Sequence, residues 1–259
     1  MLAKLLGALL GLLLVTSAAP AFCQNSSQSP PLPGEPPELP GEYAPEVYSD
    51  PFAPFNQAMF TFNLKLDHYV VRPVAKGYAD VLPTPARQSV GRFFDNISFI
   101  PRFANNLFQL RALFAMEEVA RFGINTTIGV GGLFDPAANW FGIQEHPDDF
   151  GLTLGHYGVP SGPYLVLPFL GPKTIRAAVG YAADGSMWPL PYLVPWYIYI
   201  PAGAAKTGIE AVNYRSLHLN LFEEVDRYAI DLYGAVQSGY LQTRASDLRQ
   251  INETSPRFF

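Results

Sequence analysis

Helical spacing governs both ends of this chain, and two long runs without charge occupy its middle. Phe55, Met59, Phe62 and Leu66 recur at spacings of four, three and four, one face of a helix. Asp50-Pro51 supplies a start signal for that helix, and Pro73 sets its expected end. Its opposite face carries Asn56, Gln57, Asn63 and Asp67. Thr84-Pro85 repeats the start signal for a second helix, through about Phe94. A third is expected from Pro101 to about Phe122, with Phe103, Leu107, Leu110 and Phe114 on a wide apolar face and Arg111, Glu117, Glu118 and Arg121 elsewhere. A glycine-rich turn, INTTIGVGGLFDPA, follows. From Lys206 onward, apolar residues from Ile209 to Tyr240 return at three and four between charged ones, predicting an amphipathic helix with a break near His218. Strand-like alternation is confined to short pieces such as Tyr197 to Ile200. The fold class is mainly α.

The first uncharged run lies between Asp149 and Lys173 (DFGLTLGHYGVPSGPYLVLPFLGPK), and its only ionisable groups are His156, Tyr157 and Tyr164. Such a length would span a bilayer as a helix. Gly151, Gly155, Gly158, Pro160, Gly162, Pro163, Pro168 and Gly171 forbid a continuous one. The second run, Gly185 to Ala205, is broken by Pro189, Pro191, Pro195 and Pro201. Irregular backbone lies at membrane depth only where protein or a water-filled cavity satisfies its polar groups. The pattern therefore predicts apolar material folded around itself, polar inside and apolar outside.

Composition sharpens this picture. Hydrophobic residues make up 49% of the 259, but charged residues only 15%, against about 25% in a typical soluble domain. That deficit fits a surface facing lipid in part, as would a large apolar core. A net charge of -5 excludes nucleic acid as a partner, since phosphate binding needs a basic face, and gives no polybasic patch for anionic lipid. Residues 1–23 read as a signal peptide, with Lys4 before an apolar stretch from Leu5 to Val15. Cleavage is expected after Ala21, at the Ala19-Pro20-Ala21 site, or before Cys23. In the second case Cys23, the one cysteine, is the candidate for lipid attachment. Residues 24–49 are rich in Pro, Ser and Glu and read as a disordered tether. A single domain over 50–249 and a tail over 250–259 complete the expected organisation.

Catalytic patterns are missing. Asp149-Phe150-Gly151 stands without the other kinase motifs, and Gly129-Val130-Gly131-Gly132 lacks the lysine of a phosphate loop. The four histidines, His68, His146, His156 and His218, are scattered, and no metal-ligand spacing or serine elbow occurs. An acid–base pair of Asp149 and His156 is the one arrangement with catalytic chemistry, and a structural role for His156 competes with it. No enzyme activity and no cofactor are expected.

Three blocks, DPFAPFNQAMFTFNLKLDHYVVRPVAKGY (Asp50 to Tyr78), FGINTTIGVGGLFDPA (Phe122 to Ala137) and FGLTLGHYGVPSGPYLVLPFLGP (Phe150 to Pro172), resemble the VacJ/MlaA family. Its members are outer-membrane lipoproteins of Gram-negative bacteria that maintain lipid asymmetry. The resemblance covers nearly all of Asp50 to Arg249. It implies a single ring-like domain of amphipathic helices embedded in the periplasmic leaflet of the outer membrane, with a polar channel. Misplaced phospholipid would leave the outer leaflet through that channel. It would pass to a soluble periplasmic phospholipid carrier that feeds an inner-membrane ABC transporter complex. A trimeric porin is the further implied partner. Phe22 before Cys23 departs from the small residue that usually precedes a lipidated cysteine. Two alternatives stay open, a porin-associated structural lipoprotein and a lipid hydrolase using the Asp149 and His156 region.

A channel for a phospholipid headgroup needs cations for the phosphate and amides for exchangeable hydrogen bonds. Arg72, Lys206, Asn56 and Asn63 are the candidates, with surface roles as the competing reading. The helix faces around Met59 and Phe114 are expected to meet acyl chains.

Overall fold

The computed structural model describes residues 50–188, 190–228 and 231–255. The expected leader, Cys23, the whole tether and the last four residues lie outside them.

Helix α1 (Ala53–Leu66) runs through a π-helical turn (Asp67–Val71) into α2 (Arg72–Val81), so Pro73 sits in the first turn of α2 and the rod continues past it. Helix α3 (Thr84–Ile97) starts at the predicted Thr84-Pro85 signal. The expected third helix is two: α4 (Phe99–Phe108) and α5 (Ala112–Thr127) meet at a corner where Leu110 takes a left-handed conformation, φ 60°. A short α6 (Pro136–Phe141) is capped by the Asp135 side chain, which accepts from Ala138 N. Helix α7 (Phe150–His156) is capped in the same way by Asp149, which accepts from Leu152 N.

An antiparallel hairpin follows, β1 (Tyr164–Leu167) and β2 (Gly171–Thr174), with Tyr164 opposite Thr174. Then come α8 (Ile175–Ser186), the one-turn α9 (Leu190–Leu193), α10 (Trp196–Leu217), α11 (Leu219–Tyr228) and α12 (Leu232–Thr254). The break expected near His218 separates α10 from α11. Tyr197 to Ile200 is helical, which corrects the expected strand: Pro195 fixes the N-cap and the apolar residues occupy one helical turn. The strands lie instead in the first uncharged run, where Tyr164-Leu165-Val166-Leu167 alternates buried and half-buried. Helix α12 continues through Thr254, with Ile251 buried, so the ordered body extends beyond residue 249.

Packing joins these elements into a closed circuit. Helix α1 lies on β1, β2 on α12, α12 on α7, and α7 on α4; α4 packs on α5, α5 on α3, α3 on α10, and α10 on α2, which leads back to α1. Helices α7 and α8 cross closely, and a Cβ added to Gly180 would lie 2.2 Å from Gly151 N. The domain is thus a mainly helical, ring-like unit, and no described helix is long and apolar enough to cross a membrane.

Its interior is unusual. Among the described residues the buried hydrophobics are largely Ala75, Ala115, Ala137 and Ala177, with Leu152, Tyr164, Val166, Tyr240 and Ile251. Buried polar and charged residues outnumber them and include Asn105, Asn106, Gln109 and Glu118, all 0% exposed. Large hydrophobics meanwhile cover the outside: Leu113 is 80% exposed and Val81, Met116 and Phe134 more than half. The predicted amphipathic stripes are present, with the polar stripe turned inward. In α4 that stripe is Arg102, Asn105 and Asn106, continued by Gln109 at the C-cap.

Candidate functional site

The inward-facing polar groups form connected networks. Arg102 of α4 donates from Nε to Glu118 Oε2 of α5 at 2.7 Å, and Glu118 Oε1 accepts from His146 N at 2.7 Å. Burial opposes the Arg102 charge, but Glu145 and Glu118 outweigh it and hold its pKa above the ordinary arginine value. Two charges deep in protein persist only when paired and hydrogen-bonded in this way.

A second network ties three helices together. Asn105 Nδ2 donates to Asp184 Oδ1 of α8 at 2.8 Å, and Thr153 Oγ1 of α7 donates to Asn105 Oδ1 at 2.9 Å. Gln109 Nε2 donates to Thr153 Oγ1, and Arg111 reaches both Gln109 Oε1 at 3.2 Å and Asp148 Oδ2 at 2.8 Å. Asp184 also accepts from Phe150 N at the start of α7. Burial, with the nearby charge of Asp149, pushes the Asp184 carboxyl up to about 7. Burial likewise raises Asp148 to about 6, with Arg111 opposing it. Burial would raise Asp149 too, but the Arg244 guanidinium, at 2.6 and 2.9 Å, holds it below the usual range.

Between α3, α4 and α5 lies a cavity of about 30 Å³, lined by Arg92, Arg102 and Arg121, by Asp95, Asp135 and Glu145, and by Asn96, Asn125 and Phe122. Three guanidinium groups face three carboxylates, so the lining is balanced in charge. The space suits a water or two and not a lipid headgroup. Gly132 closes the neighbouring turn at φ 91°, and a Cβ there would lie 2.5 Å from Asn96.

The sequence candidates occupy separate positions. Asn56 of α1, 0% exposed, donates to Tyr164 O at 3.0 Å and accepts from Val166 N at 2.8 Å. Asn63, two turns on, donates to Leu167 O and accepts from Phe169 N. The two amides therefore act as a surrogate neighbouring strand for the edge of β1. Arg72 pairs with Glu223 of α11 at 2.6 Å, and Lys206 of α10 pairs with Glu210 at 2.8 Å and lies 5.7 Å from the Phe94 ring centroid. No hydrogen bond or ion pair among the described residues joins any two of the four. Asp149 and His156 sit at opposite ends of α7, and His156 Nδ1 meets Asn252 Oδ1 at 2.8 Å, so they form no acid–base pair.

On the two helix faces expected to meet lipid, Met59 and Phe114 themselves are half-buried. Met59 packs on the buried Tyr164, Val166 and Tyr240, and Phe114 lies against His146 and the Arg111 guanidinium, each at 4.2 Å. Their neighbours Phe55, Phe62, Leu113 and Met116 carry the outward face. The inner networks were not assigned from sequence, although Arg102, Asn105, Asn106 and Gln109 stand at i, i+3, i+4 and i+7. That spacing is the polar counterpart of an apolar helical face.

The MlaA lipoprotein family model matches residues 48–247. The intermembrane phospholipid transport system lipoprotein MlaA of Escherichia coli is 37% identical over 197 residues, covering 75% of this chain and 76% of that one. The protein of the same description in Haemophilus influenzae is 32% identical over 198 residues, 75% and 77% of the two chains. A solved structure described as the structural basis for maintenance of bacterial outer membrane lipid asymmetry superposes with a TM-score of 0.67 at 34% identity. It covers 78% of this chain and 100% of that one.

Proposed function

This chain belongs to the MlaA lipoprotein family, and on that premise we propose that it transports phospholipid between membranes. In this reading it removes mislocalised phospholipid from the outer leaflet of the outer membrane and so maintains lipid asymmetry. The observation that carries the reading is the inverted interior. A closed circuit of helices buries arginine, asparagine, glutamine and carboxylates while exposing leucine, phenylalanine and tryptophan. A soluble protein seldom leaves so much apolar surface uncovered, and acyl chains are the environment that suits it. A zwitterionic or anionic headgroup needs the opposite environment, which the inward polar stripes provide.

The finer features belong to the same proposal. The body sits in the periplasmic leaflet, exported by residues 1–23 and tethered through 24–49, with Cys23 as the lipidation candidate. Phospholipid passes to a periplasmic carrier serving an inner-membrane ABC transporter complex, and a trimeric porin is the membrane partner. Arg72 and Lys206 are candidates for the headgroup path, whereas the amides of Asn56 and Asn63 hold the hairpin. The test is deletion with complementation, reading outer-leaflet phospholipid by cleavage with phospholipase added to intact cells. Deletion is expected to raise that signal and a wild-type copy to reverse it. Copies carrying Arg72→Asp or Lys206→Asp should reach the membrane at normal level and reverse it less. An unchanged signal on deletion would overturn the transport reading.

A further inference from the structure

Resting on that reading, we propose that Arg215 is a phosphate-binding residue, taking the phosphate of a lipid headgroup or a free phosphate ion on its two terminal nitrogens. Arg215 lies in the last turn of α10, with a side chain only 3% exposed. Its Nε donates to Asp67 of the π-helical turn, 3.0 Å from Oδ1 and 3.2 Å from Oδ2. Phe222 of α11 stacks on the guanidinium, its ring centroid 3.9 Å from the central carbon. These contacts fix the position and the plane of the group from two sides.

The terminal end of the fork is free. Nη1 and Nη2 are shut off from bulk solvent, yet neither has a hydrogen-bond partner among the described residues. Four N–H donors thus stand unsatisfied on a permanent charge, the costliest kind of orphan for a buried side chain. Elsewhere the buried arginines direct terminal nitrogens to named acceptors: Arg87 to Ser216 O, Arg102 to Glu145, Arg111 to Asp148 and Arg121 to Asp135. Arg215 alone of these leaves both open. An end-on guanidinium fork matches two non-bridging oxygens of a phosphate, and a phospholipid phosphodiester presents two such oxygens with one negative charge.

The surroundings favour an anion. Arg72 and Lys76 share the single carboxylate of Glu223, at 2.6 and 3.2 Å, and Arg215 has Asp67, so these contacts set three cations against two carboxylates. Nothing in the sequence marks Arg215, which reads there as an ordinary polar position late in an amphipathic helix.

The full-length protein in detergent micelles provides the test, with phosphatidylglycerol and inorganic phosphate as separate probes and bound probe read by phosphorus NMR. Arg215→Gln is expected to weaken binding at least about tenfold. Arg215→Lys should lose several-fold, because it keeps the charge without the fork. Arg249→Gln, which removes an exposed charge elsewhere, should change nothing. Circular dichroism checks folding, and if the glutamine variant is not native the lysine variant decides. Loss for phosphatidylglycerol identifies the lipid headgroup as the source, and loss for inorganic phosphate alone identifies the free ion; either supports the site. Binding of phospholipid that is equal in wild type and both Arg215 variants overturns the site and leaves the transport reading standing. Arg215-dependent phosphate binding with no phospholipid binding does the reverse. Wild-type protein that binds neither probe overturns both.

Discussion

The two uncharged runs look alike as sequence and end in opposite places. The first, between Asp149 and Lys173, becomes packed wall of the ring at α7 and the hairpin: Leu152, Thr153, Gly155, Tyr164 and Val166 are buried, with Val166 0% exposed, and only the connection 157–162 and the hairpin turn reach the surface. The second, Gly185 to Ala205, becomes surface, with Leu193 77% and Trp196 73% exposed. Lack of charge therefore says that a segment avoids bulk water, and it does not say what replaces the water. For the first run the replacement is protein, since its glycines admit the α7–α8 crossing and its strand edge is bound by two asparagines. For the second we propose lipid. Prolines keep it from packing as a straight helix, and its tryptophans and tyrosines have the amphipathic rings that settle at membrane interfaces.

One substitution placed in each run breaks or sharpens this contrast most strongly. Val166→Asp puts a carboxylate where no water or cation reaches it, and the expected loss exceeds about 4 kcal/mol, enough to prevent folding. Leu193→Asp is expected to leave the thermal midpoint in detergent unchanged and to weaken partitioning onto vesicles by up to about 3 kcal/mol. Co-sedimentation with vesicles and thermal unfolding of the same samples read both arms. If Leu193→Asp unfolds the protein instead, the second run is core and the contrast disappears.

A smaller effect tests what makes the first run a core. Asn56→Ala strips partners from Val166 N and Tyr164 O in a buried setting, and each orphan costs roughly 1–3 kcal/mol, so about 3 kcal/mol is expected. Asn63→Ala should cost about 1 kcal/mol, because Phe169 N lies at an exposed turn where water substitutes. Denaturant unfolding measures both. Equal, small losses would mean that the hairpin is held by its apolar contacts with Met59, Phe60 and Tyr233 and not by the amides.

Much of the ring was legible in the chain. The start of α3, the break at His218 and the inverted character of the fold follow from a proline signal, helical spacing and the charge deficit, whereas α1 begins at Ala53, just after the expected Asp50-Pro51 start. The corner at Leu110 did not follow, because a left-handed leucine carries no local signature and the apolar stripe runs through it unbroken. The hairpin was hidden because its strands are four residues each, shorter than the window in which alternation can be counted. Asn56 and Asn63 illustrate the deeper limit. Their spacing on the polar face of α1 was visible, but whether that face meets lipid headgroup, water or a strand edge is a tertiary fact.

The last expected effect concerns the residue where the two runs meet. Asp184 is the last charge before the second run, and its carboxylate holds Phe150 N at the start of the first. Burial raises its pKa to about 7 in the folded state, whereas an unfolded aspartate titrates near about 4. Between those values the folded protein keeps a proton that the unfolded chain has released. Stability from this group is therefore full below about pH 4 and declines as pH rises through about 7. Asp148, raised to about 6, acts with the same sign but completes its change earlier. The wild-type thermal midpoint should accordingly fall by on the order of 10 °C from pH 4.5 to pH 8. Asp184→Asn keeps an oxygen to accept from Phe150 N and removes the titration, so the decline between pH 6 and about pH 7 should vanish, and the steeper one below pH 6 should be roughly halved to the part that Asp148 contributes. A variant with the full wild-type slope above pH 6 would show that Asp184 is already ionised and paired there. The junction of the two runs would then be held by a charge at every pH the protein meets, with no proton to release.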